Sequence, residues 1–238
     1  MTNHETAFAT LVIVAAGRGE RFGARAKVLE LAGGKPILEW SLIAADHAQS
    51  VRDIVIVTGE HTELGITDLV MSGRRAKPVT LVSGGEQRQD SVAAGVAEVS
   101  SASTVVLVHD AARPLVTSTI LDQCAMEARL HGAAIVAVPV SDTLKRVVGS
   151  EIEETVPRDG LWGAQTPQGF RRDVIVSAIA RTRHLKLQFT DEASLLEYLG
   201  ERVRIVPGER TNIKVTHRED LDMVNALLEM QRDTRESV

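Results

Sequence analysis

Leu11-Val12-Ile13-Val14-Ala15-Ala16 runs without a polar residue into Gly17-Arg18-Gly19-Glu20-Arg21-Phe22-Gly23, and Lys27 follows. A short apolar run of this kind, closed by small residues and glycine, reads as a buried strand that leaves its sheet through a tight loop. The glycines bring bare backbone N–H groups forward, and Arg21 and Lys27 add fixed positive charge. That combination suits phosphate groups, so the expected ligand is a nucleotide or another polyphosphate.

Outward from this stretch, apolar runs alternate with helical patterns. Strands are expected at Ala9–Ala16, Asp53–Thr58, Pro78–Val82, Thr104–His109, Ala133–Val140 and Arg202–Val206. Helices are expected near Ile37–Ala48, Glu63–Met71, Glu86–Val99 and Thr117–Leu130, then near Asp173–Thr182, Asp191–Leu199 and Arg218–Met230. The alternation predicts an α/β fold with a mostly parallel central sheet flanked by helices. Ligands of such sheets bind at the carboxyl ends of the strands. One segment departs from the rhythm. Asp142-Thr143-Leu144-Lys145-Arg146-Val147-Val148 and Ile152-Glu153-Glu154-Thr155-Val156-Pro157 flank Gly149-Ser150, which predicts a protruding β-hairpin within residues 141–165. A hairpin alone has little core, so it serves as a surface flap or as an arm gripping a second subunit. The whole chain, 1–238, reads as a single domain.

Composition narrows the function classes. Net charge is −5, against bulk binding to nucleic acid or anionic membrane, so any phosphate site must be a local cluster of Arg and Lys. The single cysteine, Cys124, reads as a small buried hydrophobe. Residues 1–6 lack a signal peptide's basic start and apolar stretch, and the longest apolar run is too short to span a bilayer; a cytoplasmic protein is expected. The histidines show no zinc-binding spacing, and no G-x-S-x-G elbow is present.

The common glycine loops do not fit. Gly17, Gly19 and Gly23 place the third glycine one position late for a dinucleotide turn, and Gly34-Lys35-Pro36 lacks the rest of a Walker loop. Other stretches carry chemistry. In Val108-His109-Asp110-Ala111-Ala112-Arg113-Pro114, Asp110 suits a Mg²⁺ ligand beside a phosphate, though an Asp capping the turn and paired with Arg113 explains it equally. Ser83-Gly84-Gly85-Glu86-Gln87-Arg88-Gln89-Asp90-Ser91 lets backbone approach a flat base within reach of Ser91; it also describes an ordinary helix start. Asn212-Ile213-Lys214-Val215-Thr216 offers Lys214 either to the cleft or to solvent. Thr190-Asp191-Glu192-Ala193-Ser194 is a sound helix N-cap without any function.

A-A-G-x-G-x-R near the start, H-D-A-A-R-P, D-T-x-K-R in the arm, T-P-Q, T-D-E-A-S and N-I-K-V-T together resemble the 2-C-methyl-D-erythritol 4-phosphate cytidylyltransferases, over about residues 10–225. The resemblance implies a Rossmann-like nucleotidyltransferase fold, a homodimer held by the β-arm, CTP and methylerythritol phosphate as substrates, Mg²⁺ as cofactor, and a place in the non-mevalonate isoprenoid pathway. It implies that Ala15, Ala16, Gly17 and Gly19 line the triphosphate and that Arg21, Lys27 and Lys214 are the catalytic cations. It puts Gly85, Glu86, Ser91 and Ala111 in the cytidine pocket and Asp110 on the metal. Arg113, Thr143, Arg158, Thr166 and Thr190 would hold the acceptor, Thr143 and Arg158 reaching across from the partner's arm. Ala26 stands where many members carry Pro, and Glu86 where Asp is common. The ribitol-5-phosphate cytidylyltransferases are the nearest alternative, but Ala111-Ala112, Lys145 and Glu192-Ala193 favour the methylerythritol family. A CTP-binding module without turnover is disfavoured by so many charges around one phosphate.

Overall fold

The computed structural model of the chain describes residues 7–17, 26–185 and 187–236, with side chains in the last helix described to 231. Among these residues the strands are β1 (Ala9–Val14), β2 (Leu31–Ala32), β3 (Lys35–Pro36), β4 (Val51–Thr58), β5 (Val79–Ser83) and β6 (Val105–Asp110). There follow β7 (Ala133–Pro139), β8 (Leu144–Val148), β9 (Glu151–Val156), β10 (Trp162–Arg171) and β11 (Arg204–Pro207). The helices are α1 (Ile37–His47), α2 (Glu63–Ser72), α3 (Arg88–Ala97), α4 (Ser118–His131), α5 (Arg172–Thr182), α6 (Glu192–Tyr198) and α7 (Arg218–Glu236).

Seven strands form one sheet in the order β11-β7-β10-β6-β1-β4-β5. β1 runs parallel to β4 and β6, β4 to β5, and β7 to β11. Only β10 in this sheet is antiparallel, and it is so to both neighbours. The expected mostly parallel sheet is therefore present, with helices on both faces. Leu11 and Ile13 of β1 pack with Leu38 and Leu42 of α1 and Leu121 of α4, while Val12 packs with Val92 and Val96 of α3. Alternate side chains leave opposite faces of a strand, which is why this uninterrupted apolar run needs cover on both. Leu11, Val12 and Ile13 are wholly buried; each such side chain contributes about 1.5–3 kcal/mol. Cys124 is buried in the same core, and burial pushes its thiol well above the usual range.

After β1 the chain goes to β4 on one side, and β6 returns to the other. This reversal of strand order is where open α/β sheets form their ligand crevice. Val14 and Asp110 are register partners at its mouth, so the β1 loop and the Asp110 turn leave the sheet together.

β10 was not foreseen. Pro167 at its centre and Gly163 and Gly169 around it argue against a strand in sequence. The arm itself is the hairpin β8–β9, closed at Gly149 with φ +63°. The expected span 141–165 runs too far: Trp162–Ala164 already pair with Pro139–Ala137 in the central sheet. The arm buries almost nothing, and Val148 and Ile152 are 64% and 63% exposed. Two further differences concern ends. α3 starts at Arg88 because Gln87 and Asp90 form a capping box, and α7 runs past Met230 to Glu236. Val224 and Leu228 of α7 pack on Ala32, Ile37 and Val215, and Asn225 accepts the Gly33 N–H at 2.8 Å. This clamp fastens the Asn212–Thr216 segment, which is irregular rather than a strand.

Candidate active site

At the mouth of the reversal lies a cleft of about 220 Å³, lined by Val14–Gly17, Lys27, Gly85–Arg88, Ser91, Asp110, Ala112 and Lys214. The loops are packed closely. A Cβ at Gly84 would lie 2.7 Å from Ser91 Oγ and 2.8 Å from Ala16 Cβ, so only glycine fits. The Ser91 hydroxyl receives the Gly85 N–H at 3.2 Å and is tied to that turn. Lys27 opens a short 3₁₀ turn, Lys27–Leu29, whose Val28 is buried. Ala26 before it has φ −61°, the angle a proline would impose. The backbone thus reaches the proline-like approach to Lys27 without proline. Outside the cleft lining, Asp220 accepts the N–H groups of Thr216 and His217, both at 2.7 Å. Those bonds lower its carboxyl pKa, with a smaller pull from Lys27.

Asp110 is the centre of the charge arrangement. Its Oδ2 receives Lys214 Nζ at 2.6 Å, and its Oδ1 receives Arg88 Nε at 3.3 Å and Nη2 at 3.2 Å. Arg88 turns its other edge to Glu192, donating from Nη1 at 2.7 Å and from Nη2 at 3.1 Å. Burial alone would raise the Asp110 carboxyl, but Lys214 and Arg88 outweigh it and hold it well below the usual carboxylate range. Burial likewise opposes charge on Arg88, yet Glu192 and Asp110 more than offset it. Burial pushes the Glu192 carboxyl up against the pull of Arg88.

Beneath Asp110 lies a buried hydrogen-bond chain. The Thr166 hydroxyl accepts the Asp110 N–H at 3.1 Å and lies 2.9 Å from His109 Nδ1. His109 Nε2 lies 3.2 Å from the Arg113 carbonyl and 3.3 Å from Ser41 Oγ. Burial, with smaller opposition from Asp110, pushes the His109 pKa down to about 4, so the ring is neutral at pH 7. A carbonyl can only accept, so the ring's one proton sits on Nε2, and Nδ1 accepts from Thr166. Asn212, fully buried, donates to the Thr166 carbonyl at 2.9 Å, and its backbone carbonyl accepts Arg113 Nη1 at 2.7 Å. Burial lowers the Arg113 pKa, against Asp110.

The structure brings Ala15, Ala16, Gly17, Lys27, Gly85, Glu86, Ser91, Asp110 and Lys214 to one cleft. Gly19 and Arg21 lie outside the described residues. Ala111 is wholly buried, its N–H donated to Val14 O at 3.2 Å, and Ala112 takes the lining position. Thr166, expected in the cleft, is 4% exposed and sits under Asp110 because its hydroxyl is used by the buried chain. Thr190 is exposed ahead of α6, its hydroxyl 3.4 Å from Ser194 Oγ. Thr143 and Arg158 are exposed at the root of the arm, outside this cleft, with Arg158 bonded to the Ser141 carbonyl. Arg113 donates to backbone carbonyls rather than to the Asp110 carboxylate. Arg88 and Glu192 were missed. A cation in the first turn of a helix opposes the helix dipole, and that signal was available in the sequence.

No group of three metal-ligating carboxylates, histidines or cysteines occurs among the described residues. A Mg²⁺ ion bound with nucleotide needs only one or two carboxylates, the phosphates and water supplying the rest. An ionised carboxylate offers about four acceptor positions. Asp110 Oδ1 takes two donors and Oδ2 one, so Oδ2 retains capacity and the donor set fits such an ion.

A glycine loop and an acid–cation cluster at the strand-order reversal of an α/β sheet define a nucleotide-binding enzyme of the nucleotidyltransferase class. The family model described as IspD, 2-C-methyl-D-erythritol 4-phosphate cytidylyltransferase, matches residues 9–230. A relative of that name from Synechococcus elongatus is 42% identical over 226 residues, covering 94% of this chain and 97% of the relative. One from Bacillus licheniformis is 38% identical over 223 residues, covering 93% and 96%. Among solved structures, 4-diphosphocytidyl-2C-methyl-D-erythritol synthase from Anaerococcus prevotii superposes with a TM-score of 0.82 at 28% identity, covering 94% of this chain and 99% of that one. The cytidylyltransferase from Thermus thermophilus gives 0.78 at 32% identity, covering 92% and 98%. The chain belongs to the 2-C-methyl-D-erythritol 4-phosphate cytidylyltransferase family and is a cytidylyltransferase. The match speaks for that family and not for the ribitol phosphate alternative.

Proposed function

We propose that the chain transfers CMP from CTP to 2-C-methyl-D-erythritol 4-phosphate, giving 4-diphosphocytidyl-2-C-methyl-D-erythritol and pyrophosphate for isoprenoid synthesis. The observation that carries this reading is Asp110, held between Lys214 and Arg88 at the mouth of the β1–β6 crevice. The acceptor's 4-phosphate attacks the α-phosphate of CTP in line. A phosphate monoester has its second pKa at about 6 and is already largely ionised at neutral pH, so no general base is needed. His109 is buried and neutral, which accords with that. The obstacle is the meeting of two anions, and Lys27, Lys214 and Arg21 counter it by placing positive charge around the phosphates.

In this reading Ala15–Gly17 and Gly19 offer backbone N–H groups to the triphosphate. The Gly85–Glu86 turn, braced by Ser91, and the Ala111–Ala112 turn frame the cytidine. Asp110 would hold Mg²⁺, which would supply charge neutralisation at the phosphates when bound. Arg113 and Thr190 serve the acceptor on one protomer, and Thr143 and Arg158 come from the partner's arm. The arm's exposed Val148 and Ile152 support a homodimer of single-domain subunits. The cytoplasm is proposed as the location of this reaction. Pyrophosphate release with CTP and methylerythritol phosphate, with ribitol 5-phosphate, and with no acceptor tests the function. Turnover only with the first is expected; none with it, or a faster rate with ribitol 5-phosphate, would sink the reading.

A further inference from the structure

Arg88 stands where a cation is least expected, in the first turn of α3, next to the positive end of that helix. Two carboxylates hold it there. Asp110 faces the cleft, whereas Glu192 does not line it and is 4% exposed. Glu192 grips the guanidinium with both oxygens, the fork geometry that fixes an arginine's plane as well as its position.

The anchor of this grip is itself rigid. Asp191 and Ser194 form a reciprocal cap on α6, with Ser194 N–H to Asp191 Oδ1 at 2.9 Å. From β10, Gln168 donates to Asp191 Oδ2 at 2.8 Å and accepts the Ala193 N–H at 3.2 Å. The backbone on both sides of Glu192 is thereby pinned to the central sheet. By contrast Lys214, the other cation on Asp110, is a single flexible ammonium with its side chain 44% exposed.

We infer that Glu192 is a positioning residue for nucleotidyl transfer: by locking Arg88 it fixes the Asp110 carboxylate for the metal-bearing nucleotide. This rests on the cytidylyl-transfer reading. When Lys214 turns to a phosphate, the Asp110 carboxylate keeps its partner on the Arg88 side, and Glu192 holds Arg88 from the side away from Asp110. Partners of this outer kind typically change activity or metal affinity by about 10–100-fold when removed.

The test compares wild type with Glu192→Gln, Arg88→Lys and the double variant. Melting temperature, steady-state kinetics over a Mg²⁺ series, and calorimetric binding of CTP with Mg²⁺ are measured for each. Each single variant is expected to lose about 10–100-fold in kcat and to need several-fold more Mg²⁺ for half-maximal rate and for CTP binding. The KM for methylerythritol phosphate should stay near wild type. The double variant should be no worse than the worse single one, because both break one linkage. A folded Glu192→Gln protein with wild-type kcat overturns the inference, as do losses that multiply. So does a lowered rate with unchanged Mg²⁺ dependence, which a purely structural role would give. If Glu192→Gln does not fold, Arg88→Lys decides by the same criteria. A wild type that neither binds CTP nor releases pyrophosphate takes down the functional reading and this inference together; normal wild-type turnover with normal variants takes down only the inference.

Discussion

Thr166 holds Asp110 from below: the backbone N–H of Asp110 reaches the Thr166 hydroxyl at 3.1 Å, and the same hydroxyl donates to His109 Nδ1, the ring nitrogen left unprotonated by the Arg113 carbonyl at Nε2. Thr166→Val keeps the shape but leaves a buried N–H and a buried ring nitrogen without partners. Each such loss costs about 1–3 kcal/mol. Urea denaturation should show a stability loss of at least that order and a fall in kcat, with Thr166→Ser near wild type. A stable, fully active Thr166→Val would show that the buried chain supports neither fold nor site.

His109 makes the metal-free protein acid-sensitive. Its pKa of about 4 in the fold lies below its ordinary 6.5. The unfolded chain therefore takes up the proton first, and stability falls as pH drops through the ordinary value towards the lowered one. The expected loss between pH 7 and pH 4 is about 3 kcal/mol from this group. His109→Gln, although less stable at pH 7, should flatten that window in denaturation series taken at each pH; an equally steep decline would refute the assignment.

Lys27 follows the β1 loop and lines the cleft. Its charge is proposed to act on the transferring phosphate, and loss of one such contact typically costs about 2.7–4 kcal/mol of barrier. Lys27→Ala should lower kcat by about two to three orders of magnitude with the melting temperature near wild type. Near-normal turnover would exclude the role.

The arm's exposed apolar side chains are the proposed subunit contact. Val148→Lys combined with Ile152→Lys alters two exposed side chains, so the fold should persist while light scattering reports a monomer. Arg158→Ala should leave the dimer intact and raise the KM for methylerythritol phosphate more than that for CTP. A dimer that survives the double lysine change would place the interface elsewhere.

The parallel part of the sheet was readable because its strands are buried on both faces and so are written as unbroken apolar runs: Leu11–Ile13 is the clearest. β10 was not, since Gly163, Pro167 and Gly169 are turn-forming residues in a strand held by its neighbours rather than by its own propensity. In the site, Asp110, Lys214 and the glycines were recognisable from short motifs. The pairing of Arg88 with Glu192 was hidden because it spans 104 positions in sequence. The burial of Thr166 against Asp110 was not legible for a related reason: its neighbours in sequence say nothing of which face of β10 it occupies.

β10 begins at Trp162, beside the arm, and carries Thr166 four residues further on. Trp162–Ala164 pair with β7, and the pairing shifts register before it resumes at Gln168, so Thr166 sits in the irregular stretch between the two paired parts of the strand. Arm root and cleft are thus joined by four residues of one strand. A substitution at Trp162 therefore also bears on the strand that carries the Thr166 hydroxyl to Asp110, and activity lost there is not by itself a measure of lost subunit contact.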